Sequence, residues 1–177
     1  MKLLTGLFLT FLVAATVSSD NSKTLMIGNS GEPATLDPHK YNLRLEETLL
    51  NDLFLGLTTF NADGEIVAGA AESWETSADG LTWRFFLRED LKWSDGKNLT
   101  AEDFVYSFRR LLNPQTAASL SYFLYMIKNA EQVNNAQKAV SSLGVYSDGP
   151  NILVIELDRP YPYLLERLLY PTGFPVP

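Results

Sequence analysis

His39 is the only histidine of the chain, and it stands in "TLDPHKYN" between Asp37-Pro38 and Lys40. With no second histidine and no cysteine, it cannot complete a zinc-type ligand set. In a proline-bounded loop such an imidazole reads as a structural hydrogen-bonding group rather than a general base. The acidic pairs Glu46/Glu47, Glu89/Asp90 and Glu102/Asp103 are the other candidates. Each pair is adjacent in sequence, so its side chains diverge instead of facing each other across a scissile bond, as paired glycosidase carboxylates must. They read as solvated or helix-capping acids. The chain contains no GxSxG elbow, no phosphate-cradling GxxxxGK[ST] loop and no GxGxxG turn. The absence of cysteine also removes thiol catalysis, disulfides and thiolate metal centres. Asn98-Leu99-Thr100 matches a glycosylation sequon, but its threonine is better used as a helix cap. These residues point to binding without covalent chemistry, and no metal or cofactor is expected.

The balance of 14 basic against 21 acidic residues gives a formal charge of -7 with no basic tract. Such a chain is a poor nucleic-acid ligand, because phosphate neutralisation supplies most of that affinity. Its 177 residues, 46% of them apolar, suffice for one domain with a core. The first residues, "MKLLTGLFLTFLVAATVSSD", carry Lys2, an apolar run from Leu3 to Val17 and then small residues. They read as a secretory signal peptide over residues 1–19, with cleavage after Ser19 and Ala15 as a second candidate. The run is short for a membrane span. An exported, periplasmic, monomeric protein is expected.

The elements that must position any site follow from periodicity. A strand is expected at 23–30 and a bent loop at 31–42, fixed by Gly31, Pro33 and Pro38. A helix over 46–57 has Leu45, Leu49 and Leu53 at spacing four. Asn61-Ala62-Asp63-Gly64 predicts a hairpin turn within 58–67, and residues 68–74 a short helical turn. In "LTWRFFLR", Leu81, Trp83, Phe85 and Leu87 share one face of a strand. Ser94-Asp95-Gly96 is a tight turn. Thr100 then caps a helix whose buried stripe is Phe104, Phe108, Leu111 and Leu112, and Asn113-Pro114 stops it. The aromatics Trp74, Trp83, Phe85, Trp93, Phe104 and Phe108 read as core. A second apolar helix is expected at 119–133, a turn into a strand at 136–145, a strand at 151–157 and a helix at 161–170 with Tyr163, Leu164, Leu165 and Leu168 inward. The sum is a mixed α/β fold.

"AESWETSADGLTWRFFLREDLKWSDGKNLTAEDFVYSFRRLLNP" (71–114) resembles the signature region of the oligopeptide/dipeptide-type extracellular solute-binding proteins, the peptide receptors of bacterial ABC importers. "EPATLDPHK" (32–40), "LFLGLTTFNADGEIVAGAAESW" (53–74) and "LDRPYPYLLERLLYPTGFPVP" (157–177) match the same family in order and spacing. The resemblance implies a periplasmic-binding-protein-like fold, of which this chain is the N-terminal part. Residues 20–55 would start the first lobe and 56–177 would form an inserted α/β subdomain. The remainder of the first lobe and the whole second lobe would lie beyond Pro177. The implied function is capture of short peptides in the periplasm and delivery to a membrane permease. Relatives that take nickel complexes, haem, murein peptides or sugars are the alternative, as is a truncated chain that binds nothing. By the same resemblance Asn42, Leu43 and Arg44 approach the ligand, and a further contact comes from near Leu120. Oligopeptide receptors carry an acid and a tyrosine where this chain has Asn42 and Leu120, which leaves ligand length and charge preference open.

Overall fold

The computed structural model describes residues 27–177. Their order is α1 (Arg44–Leu53), β1 (Thr58–Phe60), β2 (Ile66–Ala68), β3 (Ala71–Thr76), β4 (Thr82–Leu87), α2 (Ala101–Leu112), α3 (Ala130–Asn134), β5 (Val145–Ser147), β6 (Ile152–Glu156) and α4 (Leu164–Arg167). β1 and β2 form a hairpin, and the other four strands an antiparallel sheet in the order β3-β4-β6-β5. The mixed α/β architecture matches the sequence reading. The expected signal segment lies outside the described residues, as does the first half of the strand expected at 23–30. Residues 27–30 form no strand.

Strict alternation makes β4 the central strand. Trp83, Phe85 and Leu87 are buried, while Thr82, Arg84 and Phe86 are half-buried on the other face. Helix α2 lays Phe104, Val105, Phe108, Leu111 and Leu112 into one core cluster with Phe85, Leu153 and Ile155. Trp83 and Phe85 stack with centroids 6.2 Å apart. Trp74 and Trp93 are only half-buried. The first turn of α2 is closed by Asp103, whose Oδ2 accepts from the Thr100 amide at 2.7 Å and the Thr100 hydroxyl at 2.9 Å. At the β1–β2 turn Gly64 takes φ +80°, a left-handed conformation that favours glycine.

Several expectations fail for identifiable reasons. Residues 71–76 are a strand rather than a helical turn, because pairing with β4 sets Trp74 opposite Phe85. The apolar run 119–133 is not one helix. It breaks into a 3-10 turn (Ser121–Leu124), a bridge from Ile127 to Leu157, and α3. The Lys128 amide donates to Glu156 O at 2.9 Å, and Asn129 sits at φ +65°. Sheet pairing therefore interrupts the helix that apolar content suggested. Pro162 and Pro171 confine the helix expected at 161–170 to the single turn α4, since a residue before proline avoids helical angles. Leu164 and Leu168 are buried there, but Tyr163 is exposed. Helix α1 starts and stops earlier than expected: Phe54 is already extended, and Leu53 faces solvent.

Asp103 holds two donors with one carboxylate, whereas Thr100 keeps its amide bond to Asp103 after loss of its hydroxyl. Asp103→Ala is expected to cost about 1 kcal/mol and Thr100→Ala less. Urea midpoints of the two variants check this, and a larger loss for Thr100→Ala would contradict it.

Candidate functional site

Residues 31–43 form a loop whose course is set by buried and partly buried polar groups. Asp37 and Arg110 make a two-toothed ion pair, with Nη1 to Oδ1 at 2.9 Å and Nη2 to Oδ2 at 2.6 Å. Arg110 Nη1 also donates to His39 Nδ1 at 2.8 Å. The other ring nitrogen, Nε2, donates to the Phe174 carbonyl at 3.3 Å. Because a guanidinium only donates and a carbonyl only accepts, His39 is the neutral Nε2–H tautomer. Burial and the neighbouring Arg110 charge push His39 down to about 4. The Arg110 hydrogen bonds hold the Asp37 carboxyl below its ordinary value. One cluster thus joins the loop, helix α2 and the terminal segment. That segment is tied down again where Ser107 Oγ accepts from the Val176 amide at 2.8 Å. Phe174 also stacks on Phe54, and Gly56 has no room for a side chain beside that ring, since a Cβ would stand 2.7 Å from it.

Both ring nitrogens of His39 are engaged and the residue is 2% exposed, so it cannot exchange protons with a substrate. The structural reading of His39 therefore holds. Glu46, read as a solvated or capping acid, takes the capping role at the third position of α1 and is buried there. Its carboxylate accepts from the amides of Ala34, Asn42 and Leu43. Among the described residues no group of three His, Asp or Glu side chains is placed to hold a metal. Nor is any helix among them long and apolar enough to cross a membrane.

Asn42, Leu43 and Arg44 are exposed at the head of α1, and Leu120 is half-buried. The two stretches meet: Ser119 Oγ donates to the Tyr41 carbonyl at 3.5 Å. Beside them lies an aromatic surface that the sequence reading did not single out. Phe123 meets Tyr122 and Tyr170 edge-on at 4.9 and 5.2 Å, and the Arg167 guanidinium sits 5.2 Å over its ring. Tyr41 is buried, its hydroxyl has no partner among the described residues, and burial raises its pKa. A groove of about 750 Å³ runs along α1, lined by Arg44, Glu47, Phe54, Thr58, Arg167 and Tyr170. A second, of about 770 Å³, is lined by Leu53, Leu55, Leu91, Trp93 and Pro175. The first combines both signs of charge with aromatic faces. That suits a ligand with backbone polar groups and side chains.

Residues 65–177 match the model of the bacterial extracellular solute-binding proteins, family 5 (middle region). The chain belongs to this family. The periplasmic oligopeptide-binding protein OppA of Haemophilus influenzae is 38% identical over 160 residues, which cover 89% of this chain and 30% of that relative. The crystal structure of Haemophilus influenzae OppA in complex with RPPGFSPFR superposes with a TM-score of 0.82 at 37% identity, covering 84% of this chain and 29% of that one. The Escherichia coli murein tripeptide binding protein MppA gives 0.79 at 40% identity, covering 82% and 29%. The chain therefore spans about 30% of the length of the curated relatives it matches.

His39 is lower in the folded state than its ordinary 6.5, so the unfolded chain binds the proton first. Stability is then full above pH 6.5 and falls towards pH 4, by about 3 kcal/mol at most. His39→Gln is expected to flatten that window. Thermal midpoints across pH 4–7 check it, and an unchanged profile would contradict it. Tyr41→Phe removes an unpaired buried hydroxyl and is expected to raise stability by up to about 1 kcal/mol. A urea midpoint below that of the parent chain would show that the hydroxyl has a partner.

Proposed function

We propose that this chain supplies one wall of the ligand cleft in the periplasmic substrate-binding component of a bacterial peptide ABC importer. Short peptides are the cargo and a membrane permease is the recipient. The chain performs no covalent chemistry. The observation that carries this reading is the meeting of two sequence-distant stretches, Tyr41–Arg44 and Ser119–Leu120, on a surface flanked by Tyr122, Phe123 and Tyr170. The loop is pinned from below by charged groups, yet its ligand-side residues Asn42, Leu43 and Arg44 stay exposed. A pre-formed wall of this kind avoids the ordering cost a flexible one would incur on binding. The solved peptide complex of a relative 37% identical supports the same class of ligand. In this reading residues 1–19 are the export signal, residues 20–55 begin the first lobe, and residues 56–177 are the inserted subdomain. Asn42, Leu43, Arg44 and Leu120 touch the peptide, whose backbone pairs as an added strand while water fills spacious side-chain pockets.

A single wall of a cleft binds weakly, so the test reads weak binding directly. Trialanine titrated to millimolar concentration into the ¹⁵N-labelled chain is expected to shift the amide resonances of Tyr41–Arg44 and Ser119–Phe123. Shifts confined to other surfaces, or no shifts, would contradict the proposal.

A further inference from the structure

Glu46 occupies an unusual environment for a carboxylate. It is 1% exposed, and no Lys or Arg forms an ion pair with it among the described residues. A buried carboxylate without a countercharge is costly unless several hydrogen bonds replace its water. Here backbone amides do so. Oε1 accepts from Ala34 N at 3.0 Å, while Oε2 accepts from Asn42 N at 3.0 Å and Leu43 N at 3.2 Å. Glu46 also stands in the first turn of α1, where the helix dipole favours a negative charge. The Asn42 amide leads these interactions in holding the carboxyl below its ordinary value, against the opposing effect of burial.

The three amides come from both ends of the loop. Ala34 is twelve residues before Glu46, and Asn42 and Leu43 are four and three before it. The carboxylate therefore closes the loop on itself and fixes the backbone at two of the residues assigned above to the ligand. Its neighbour Glu47 lines the groove instead, so the two acids of this pair are divided between positioning and surface. A glutamine at position 46 would keep one oxygen, but its amide nitrogen would turn a donor towards donors. We propose that Glu46 is the positioning residue of the ligand wall, setting the backbone of Asn42 and Leu43 for peptide contact without itself touching the peptide. This rests on the cleft reading above.

The test uses the ¹⁵N-labelled 177-residue chain and Glu46→Gln, with trialanine as probe. In the parent chain the amide protons of Ala34, Asn42 and Leu43 are expected to titrate together, with one midpoint below the ordinary glutamate value. That measurement needs no variant. In Glu46→Gln the three inflections should vanish and trialanine affinity at Tyr41–Arg44 should fall about tenfold. A variant merely destabilised as a whole would keep the local affinity in its folded fraction. Unrelated midpoints for the three amides, or unchanged affinity in Glu46→Gln, would overturn the assignment. Loss of all trialanine shifts in the parent chain would instead overturn the cleft reading, and the amide titration would still decide whether Glu46 holds the loop.

Discussion

Three separated stretches of chain converge on the Arg110 guanidinium. It pairs with Asp37 in the loop and donates to His39, which in turn reaches the carbonyl of Phe174 in the terminal segment. The arrangement works only with a neutral imidazole, because a protonated ring would set two donors and two positive charges face to face at 2.8 Å. Around this point the loop cannot shift without breaking a partly buried ion pair. The terminal segment cannot leave without exposing Phe174 and freeing the Val176 amide. The α2–β4 core lies beneath, and the clamp attaches the loop to it.

Local order explains which parts could be read from the residues alone. Helix α2 was legible because its apolar positions keep helical spacing between a cap and Asn113-Pro114. Strand β4 was legible because Trp83, Phe85 and Leu87 alternate without interruption. The stretch 119–133 was not, since apolar residues on every side erase periodicity, and the pairing of Ile127 with Leu157 is a long-range event. Pro33 and Pro38 announced a bent loop, but nothing local announces what holds it. Asp37 and Arg110 are 73 residues apart. Glu46 and Glu47 look alike in sequence and differ only because the folded loop turns three amides onto the first of them. A glutamate at the third position of a helix, following a bent loop, was the one local hint.

The same physics connects scaffold to function. The buried and partly buried charges of Glu46, Asp37 and Arg110 shape the backbone of the loop. The titratable groups most displaced from their ordinary values, His39 and Tyr41, are buried beneath the surface. What reaches the surface is a short run of exposed residues at the head of α1, a set of aromatic faces and a groove of mixed charge. In the proposed cleft reading these features would meet an extended, polar-backboned ligand, in keeping with membership of a solute-binding family.

The most direct measurement of the central claim is paramagnetic broadening by a trialanine carrying a nitroxide at its amino end. The account predicts that amide signals of Tyr41–Arg44 and Ser119–Phe123 fade together, since one bound peptide must lie within reach of both stretches. Broadening centred on Leu53, Trp93 and Pro175 would place the ligand in the other groove and contradict the assignment of the wall.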